Sequence, residues 1–516
     1  MPARVLVIGL DAAESTLIEK WADEGLLPNI QRIRRAGASF RLDNPMETLP
    51  GGIWPEICMG RKSGKTGLFY HPEQIHTGEA QLRPVEYNEI DPTVNYWSIA
   101  SDAGRRVCVL DQVQSSLNTE LNGIQVLEWG LHDRTYAERS HPAGLLEEIH
   151  GRYGLHPVRN CDHYPDSVAG RTKLLQDLKT GVIKKRALAL DLMARESWDL
   201  YACSLGESHC VGHHFWHNLA TAGPTNDPAN PVEHQNAIRE IYQGIDETVG
   251  HLIDAAGSEA TTLIIASHGI GPSRAGYQLL PEILARLGMS SDRTTSRGPS
   301  ALRRLQYFVK SSVPRRMIPL LRILAGLGPI KAIQRGKGAL RFPLESAMTR
   351  AIAVPNNRVG AIRLNVKGRD PFGCVEPGSE VQALISELRT ALLELTDPDT
   401  GKPIISRIEV SNDLFGKECH PDVPDMLIVY RPGTEAIEAC QSERVGTIEV
   451  PYFMPRTHRS GDHTVESRLW VAGPSIGKRR KISQAHVLDF APTVLSLLDV
   501  PLPGGFDGRP IALGSG

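Results

Sequence analysis

Short, almost wholly apolar runs punctuate this chain at residues 4–9, 107–110, 199–205, 262–267 and 468–472. A strand covered on both faces reads this way, because neither face has to offer water a polar residue. Longer stretches near 13–36, 181–195, 235–256, 379–396 and 486–499 repeat their apolar positions with the period of a helix packed along one stripe. Strand and helix alternate, which predicts an α/β fold with a mostly parallel sheet and helices on both faces. Gly and Pro mark the connections, as at Pro50-Gly-Gly and at Gly269-Ile-Gly-Pro272.

The alternation continues from end to end of the 516 residues, so the expected organisation is a single large α/β domain, 1–516, with an insertion at about 273–345. Charge sets the insertion apart. Between 293 and 341 stand twelve Lys or Arg and no Asp or Glu; because the whole chain carries −2, everything else sums to −14. Its apolar residues keep a helical spacing, as in Leu302 to Lys310 and Met317 to Leu324. The expectation is a basic helical cap that balances an acidic domain, covers an anionic substrate, or touches a membrane surface or a protein partner. A net charge of −2 gives no reason to expect specific nucleic-acid recognition. No run of 18 apolar residues is present, so no transmembrane segment is expected. The eight cysteines are scattered without a CxxC pair, which suits a reducing compartment, and a cytoplasmic location is expected.

Residues with chemistry gather at the strand edges. Asp11 follows the first apolar run, His209 and His213 follow the third, Ser267 and His268 close the fourth, and His463 leads into the fifth. In an open α/β sheet, residues just past the carboxyl ends of neighbouring strands converge on one crevice. Histidines four apart share a helix face, and imidazole with carboxylate is a donor set for zinc, or for manganese where oxygen dominates. The zincin motif is excluded, because no Glu follows His209 to serve as base. His214, beside His213, is the other register for that ligand.

These segments together resemble the alkaline phosphatase superfamily, specifically its type I phosphodiesterase/nucleotide pyrophosphatase family. The resemblance runs from Val7-Ile-Gly-Leu-Asp11 and Leu27-Pro-Asn-Ile30 through Leu49-Pro-Gly-Gly-Ile-Trp-Pro-Glu-Ile-Cys-Met-Gly60 to Glu207-Ser-His209-Cys-Val-Gly-His213. It continues at Ser267-His268-Gly269, Arg459-Ser-Gly-Asp-His463, and Asp489 to Leu498 with Phe506-Asp-Gly-Arg-Pro510. It implies an alkaline-phosphatase-like fold and a divalent-metal hydrolase of phosphoesters. Carried across position by position, one metal is held by His209, His213 and His463, and a second by Asp11 and His268. The implied substrate is a small phosphorylated or nucleotide-like molecule, cleaved as a phosphodiester or pyrophosphate. The alternatives are a phosphomonoesterase or phosphoryl transferase on the same scaffold, and a non-catalytic binder of phosphorylated ligands.

Two departures stand out. The family's nucleophile position falls on Pro50, which carries no hydroxyl, so the candidate nucleophile is Thr48, with water attack as the alternative. Asp is replaced by His at 209 and by Ser at 267, which makes the site more positive by two formal charges. Two divalent ions repel one another, and carboxylates ordinarily offset that repulsion. A firm metal site at His209, His213 and His463 and a weaker one at Asp11 and His268 are therefore expected. Glu47, Glu207 and Asp462 are the carboxylates placed to compensate.

Overall fold

The computed structural model describes residues 3–79, 82–131, 136–165, 167–219, 231–272, 279–290, 349–431, 439–449, 459–477 and 482–514. The chain divides into two compact units, one formed by residues 1–71, 85–274 and 456–516, the other by 72–84 and 275–455. The expected insertion at 273–345, including the basic tract at 293–341, lies largely outside the described residues.

The first unit is built on a nine-stranded sheet. Its strands are β1 (Ala3–Leu10), β2 (Ala38–Asp43), β3 (Val107–Leu110), β4 (Gly123–Leu127), β5 (Arg139–His141), β6 (Trp198–Leu205) and β7 (Thr261–Ala266). A separate two-stranded ribbon pairs β8 (Gly269–Pro272) with β9 (Gly461–Thr464), and β10 (Arg468–Ala472) and β11 (Ser483–His486) return to the large sheet. The order is β11-β2-β10-β7-β1-β6-β3-β4-β5, and only β10 and β5 oppose the common direction. This is the α/β class with a mostly parallel sheet that the alternating pattern predicts.

The all-apolar strands are explained by burial on both sides. Along β1, Leu6, Ile8 and Leu10 enter one core while Val5 and Val7 enter another. The first core is closed by α1 (Ser15–Asp23), α2 (Pro28–Ala36) and two long helices, α4 (Val168–Ala194) and α6 (Val232–Ala256). The second is closed by α3 (Ile53–Met59) and α7 (Phe490–Leu497), with Tyr96 and Trp97 from a shorter helix. Because each strand alternates its side chains between faces, only a run apolar at every position serves both cores.

Two helix boundaries differ from expectation. The stretch 13–36 is two helices, because Gly25 adopts φ +80° and Pro28 opens the second at a position where its missing N–H costs nothing. The helix expected at 181–195 starts at Val168, where the Ser167 hydroxyl accepts from Gly170 N–H.

The second unit has its own core. Four antiparallel strands lie in the order Ala351–Val354, Gly360–Leu364, Met426–Tyr430, Ile405–Val410, and their apolar face packs with the helices Leu280–Arg286 and Ser379–Leu393. Arg363 is buried there against Asp370 at 2.7 Å.

Candidate metal centre

The site begins where three parallel strands end together. The Asp11 N–H donates to Leu205 O at 3.0 Å, and the Ser267 N–H to Leu10 O at 3.2 Å, so the ends of β1, β6 and β7 are stitched side by side. Directly after β6 the chain turns into α5 (Glu207–Phe215), and the Ser208 hydroxyl ties its first turn to Asp11 O at 2.6 Å. One turn separates His209 from His213, so both project from one face. The ribbon supplies the third histidine, since His463 pairs with Ile270 across β8 and β9.

The three Nε2 atoms meet. His209 and His463 are 2.7 Å apart, His213 and His209 3.0 Å, and His213 and His463 3.1 Å. The His213 Nδ1 lies 2.7 Å from Gly461 O. A carbonyl only accepts, so Nδ1 carries the proton and Nε2 of the neutral ring presents its lone pair to the cluster. Three imidazole nitrogens gathered on one point are a ligand set. Tetrahedral zinc with bonds of about 2.0–2.1 Å holds nitrogens ~3.3 Å apart, close to the spacing here. Among these residues a metal fits.

Close backbone approach makes the convergence possible. A Cβ on Gly461 would stand 2.3 Å from Gly212 O, and a Cβ on Gly212 would meet the Ile270 side chain at 2.6 Å. Only glycine at both places lets the ribbon lie against α5.

His268 joins the same crevice: its ligand atom and those of His209 and His463 lie within 4.8 Å of one another, and its ring packs edge-on to His463 at 4.4 Å between centroids. Its Nδ1 lies 3.0 Å from the buried Ser267 hydroxyl. Asp11 Oδ2 is 3.8 Å from His209 Nδ1, and Asp11 Oδ1 accepts from Trp54 Nε1 at 2.7 Å. All five residues expected as metal ligands are thus brought to one place. Between the two possible registers, His213 enters the trio, whereas His214 Nε2 sits 3.1 Å from Cys161 Sγ. Thr48 lies in the loop from β2 to α3, which leaves the sheet at the same edge as Asp11, and its hydroxyl donates to Pro45 O at 3.2 Å.

Several contributing residues gave no sequence signal. Beneath α5, Glu207 Oε1 lies 3.3 Å from His156 Nε2, and Lys185 is buried in an ion pair with Asp111. Burial alone would raise the Glu207 carboxyl, but the His156 hydrogen bond and the Lys185 charge prevail and hold it below its usual range. Burial likewise opposes the charge on Lys185, yet Asp111 and Glu207 keep its pKa above normal. Asp111, Lys185, Glu207 and His156 thus form one buried charged group at the start of α5. Of the compensating carboxylates expected, Glu207 is engaged this way, and Asp462 Oδ1 accepts its neighbour's His463 N–H at 2.8 Å. Arg459 also reaches the site: its Nε donates to Asp162 Oδ1 at 2.9 Å, and a terminal nitrogen lies 3.5 Å from His213 Nε2.

The carboxyl edge of the sheet thus gathers four histidines and an aspartate, a donor set suited to a metal ion. The type I phosphodiesterase/nucleotide pyrophosphatase family model matches residues 5–458, and the chain belongs to that family. The match includes Asp11, Thr48, His209, His213 and His268 and ends before His463. With membership come the alkaline-phosphatase-like fold and the phosphoester-hydrolase class. Among solved structures the chain is similar to murine ectonucleotide pyrophosphatase/phosphodiesterase 5, with 10% identity, a TM-score of 0.47 and 97% of each chain covered. No curated protein matches it.

Proposed function

We propose that this protein is a metal-dependent phosphodiesterase acting on a small nucleotide-like phosphodiester or pyrophosphate. The observation that carries the reading is the convergence of the His209, His213 and His463 Nε2 atoms within 3.1 Å at the carboxyl edge of the sheet. These three would hold the firmer ion, zinc by donor type, and Asp11 with His268 a weaker second, for which manganese is also suited. Bound there, divalent ions supply charge to offset that developing on phosphoryl oxygens, and they ease deprotonation of an attacking hydroxyl.

The chain's own groups do the rest. Thr48 is the candidate nucleophile, carried on a loop that leaves the sheet at the metal edge. Arg459, aimed by Asp162 toward the histidines, offers N–H donors to an anionic substrate oxygen. Trp54 Nε1 fixes one oxygen of Asp11 in direction, and the other faces His209 Nδ1 at 3.8 Å. The basic tract at 293–341, outside the described residues, is proposed as the cap or as a peripheral membrane or protein contact. A reducing, cytoplasmic setting is proposed from the scattered spacing of the eight cysteines, without a CxxC pair.

Hydrolysis of a nitrophenyl phosphodiester against the corresponding monoester tests the reading, with zinc and manganese supplied in turn. The diester is expected to be the better substrate, and Thr48→Ala to lose at least ~100-fold in kcat if the hydroxyl attacks. Preference for the monoester would replace the proposal with a phosphatase, and full activity of the Ala variant would assign the attack to water. No turnover of either ester with any metal would leave a phospho-ligand binder.

A further inference from the structure

A second cluster of metal-binding groups stands apart from the histidine trio. Cys161 lies in a short turn, Cys161–His163, fixed by the Asn160 side chain accepting from Asp162 N–H at 2.8 Å. Cys161 Sγ is 3.1 Å from His214 Nε2, and Asp162 Oδ1 is 3.5 Å from the same nitrogen. All three ligand atoms lie within 4.8 Å of one another, with Cys161 and His214 buried and Asp162 at the surface.

We propose that Cys161, Asp162 and His214 form a separate binding site for a thiophilic divalent cation, zinc by chemistry. A thiol and a carboxylate converge on one ring nitrogen. A single N–H directed along the ring plane satisfies one of them well, whereas a cation among the three satisfies all. Zinc bonds of about 2.3 Å to sulfur and 2.0–2.2 Å to nitrogen and oxygen set tetrahedral ligand separations of ~3.3–3.6 Å, near those observed. The arrangement does not suit a nucleophilic triad, because thiol and carboxylate address the same nitrogen rather than opposite sides of the imidazole.

Arg459 is compatible with this site. It grips both Asp162 oxygens, leaving the remaining lone pairs of the carboxylate available. An outer partner of that kind orients a ligating carboxylate. With a thiolate, a carboxylate, a neutral imidazole and the guanidinium, one divalent ion leaves a net charge of +1. Binding releases the thiol proton to solvent. The described residues supply three ligands, and Asp162, at the surface, leaves the site within reach of water. Since Arg459 also lies 3.5 Å from His213 Nε2, an ion here would fix the guanidinium beside the histidine trio.

Sulfur gives the test its selectivity. Chelator-stripped full-length protein is titrated with cobalt(II), and the near-ultraviolet thiolate-to-cobalt charge-transfer absorption is followed. The trio of His209, His213 and His463 has no sulfur and contributes none of it. Wild type is expected to show the band, Cys161→Ser to lose it, and Cys210→Ser to keep it. Asp162→Asn should weaken the cobalt affinity that the band reports by at least about tenfold, since loss of an outer-shell partner alone costs that much. Cobalt binding by wild type without the band overturns the proposal whether or not any variant folds. So does a band that survives Cys161→Ser.

Discussion

The resemblance to the family leads one to expect a carboxylate at positions 209 and 267, where this chain carries an imidazole and a hydroxyl. On the proposed reading each exchange removes a negative charge from a cation site, which leaves cation repulsion in a partly desolvated crevice less offset. Two residues before His209, Glu207 is a buried carboxylate whose pKa the His156 hydrogen bond and the Lys185 charge hold below its usual range. On Glu56 burial prevails instead, pushing the carboxyl up to about 7 from 4.5 against hydrogen bonds from Ser63 that favour the anion. Between those values the folded protein holds a proton that the unfolded chain has released. Stability conferred by the neutral acid is therefore full below about pH 4.5 and lost as pH rises through 7. Glu56→Gln keeps an acceptor for the Ser63 N–H and cannot ionise. Relative to wild type, it should gain ~1–3 kcal/mol between pH 5 and pH 8. Urea denaturation at the two pH values measures this, and a pH-independent difference would show that Glu56 does not titrate in that window.

At the scale of elements, the trio depends on a ribbon lying against a helix. Gly461→Ala places a methyl group 2.3 Å from Gly212 O, a backbone atom that yields only if α5 and β9 separate. Overpacking of this kind should cost ~1–3 kcal/mol, and by displacing His463 it should weaken zinc binding about 10–100-fold. Thermal denaturation and zinc titration read the two effects, and unchanged affinity would mean that His463 does not need this contact. The elements differ in how far the sequence disclosed them. Strands such as Val5–Leu10 and Leu263–Ala266 were legible because burial on both faces leaves an uninterrupted apolar run. The histidines were legible because strand ends and a spacing of four mark a shared edge and face. Short strands such as Ser483–His486 were not, since its residues are polar or partly exposed. The antiparallel sheet of the second unit escaped because its strands are only 4–6 residues long, and apolar runs that short do not separate strand from helix. His156 and Cys161 sit in loops without period, so only tertiary contacts bring them to Glu207 and His214.

For the whole molecule, the proposed metal crevice is a closure device. Asp11, His209, His213, His268 and His463 come from four separate segments spread over most of the chain, and none of the sets exists until β1, β6, β7 and the ribbon have assembled. An ion that binds only the assembled form stabilises it by RT ln(1 + [L]/Kd), or ~2.7 kcal/mol at a hundredfold excess over Kd. Stripping metal should therefore lower both Tm and activity, and zinc should restore both, with the Tm gain rising logarithmically with zinc concentration. On the proposed reading, the carboxylates exchanged at 209 and 267 make the two metal sites unequal. After dialysis against a mild chelator, one equivalent should remain at His209, His213 and His463, and the one at Asp11 and His268 should be lost. The count is made in Cys161→Ser, so that a thiolate site adds nothing to it. Two retained equivalents in that variant would show that the buried Glu207 charge compensates fully for the exchanges at 209 and 267. No retained metal, with Tm indifferent to zinc, would remove the metal from the proposed function altogether.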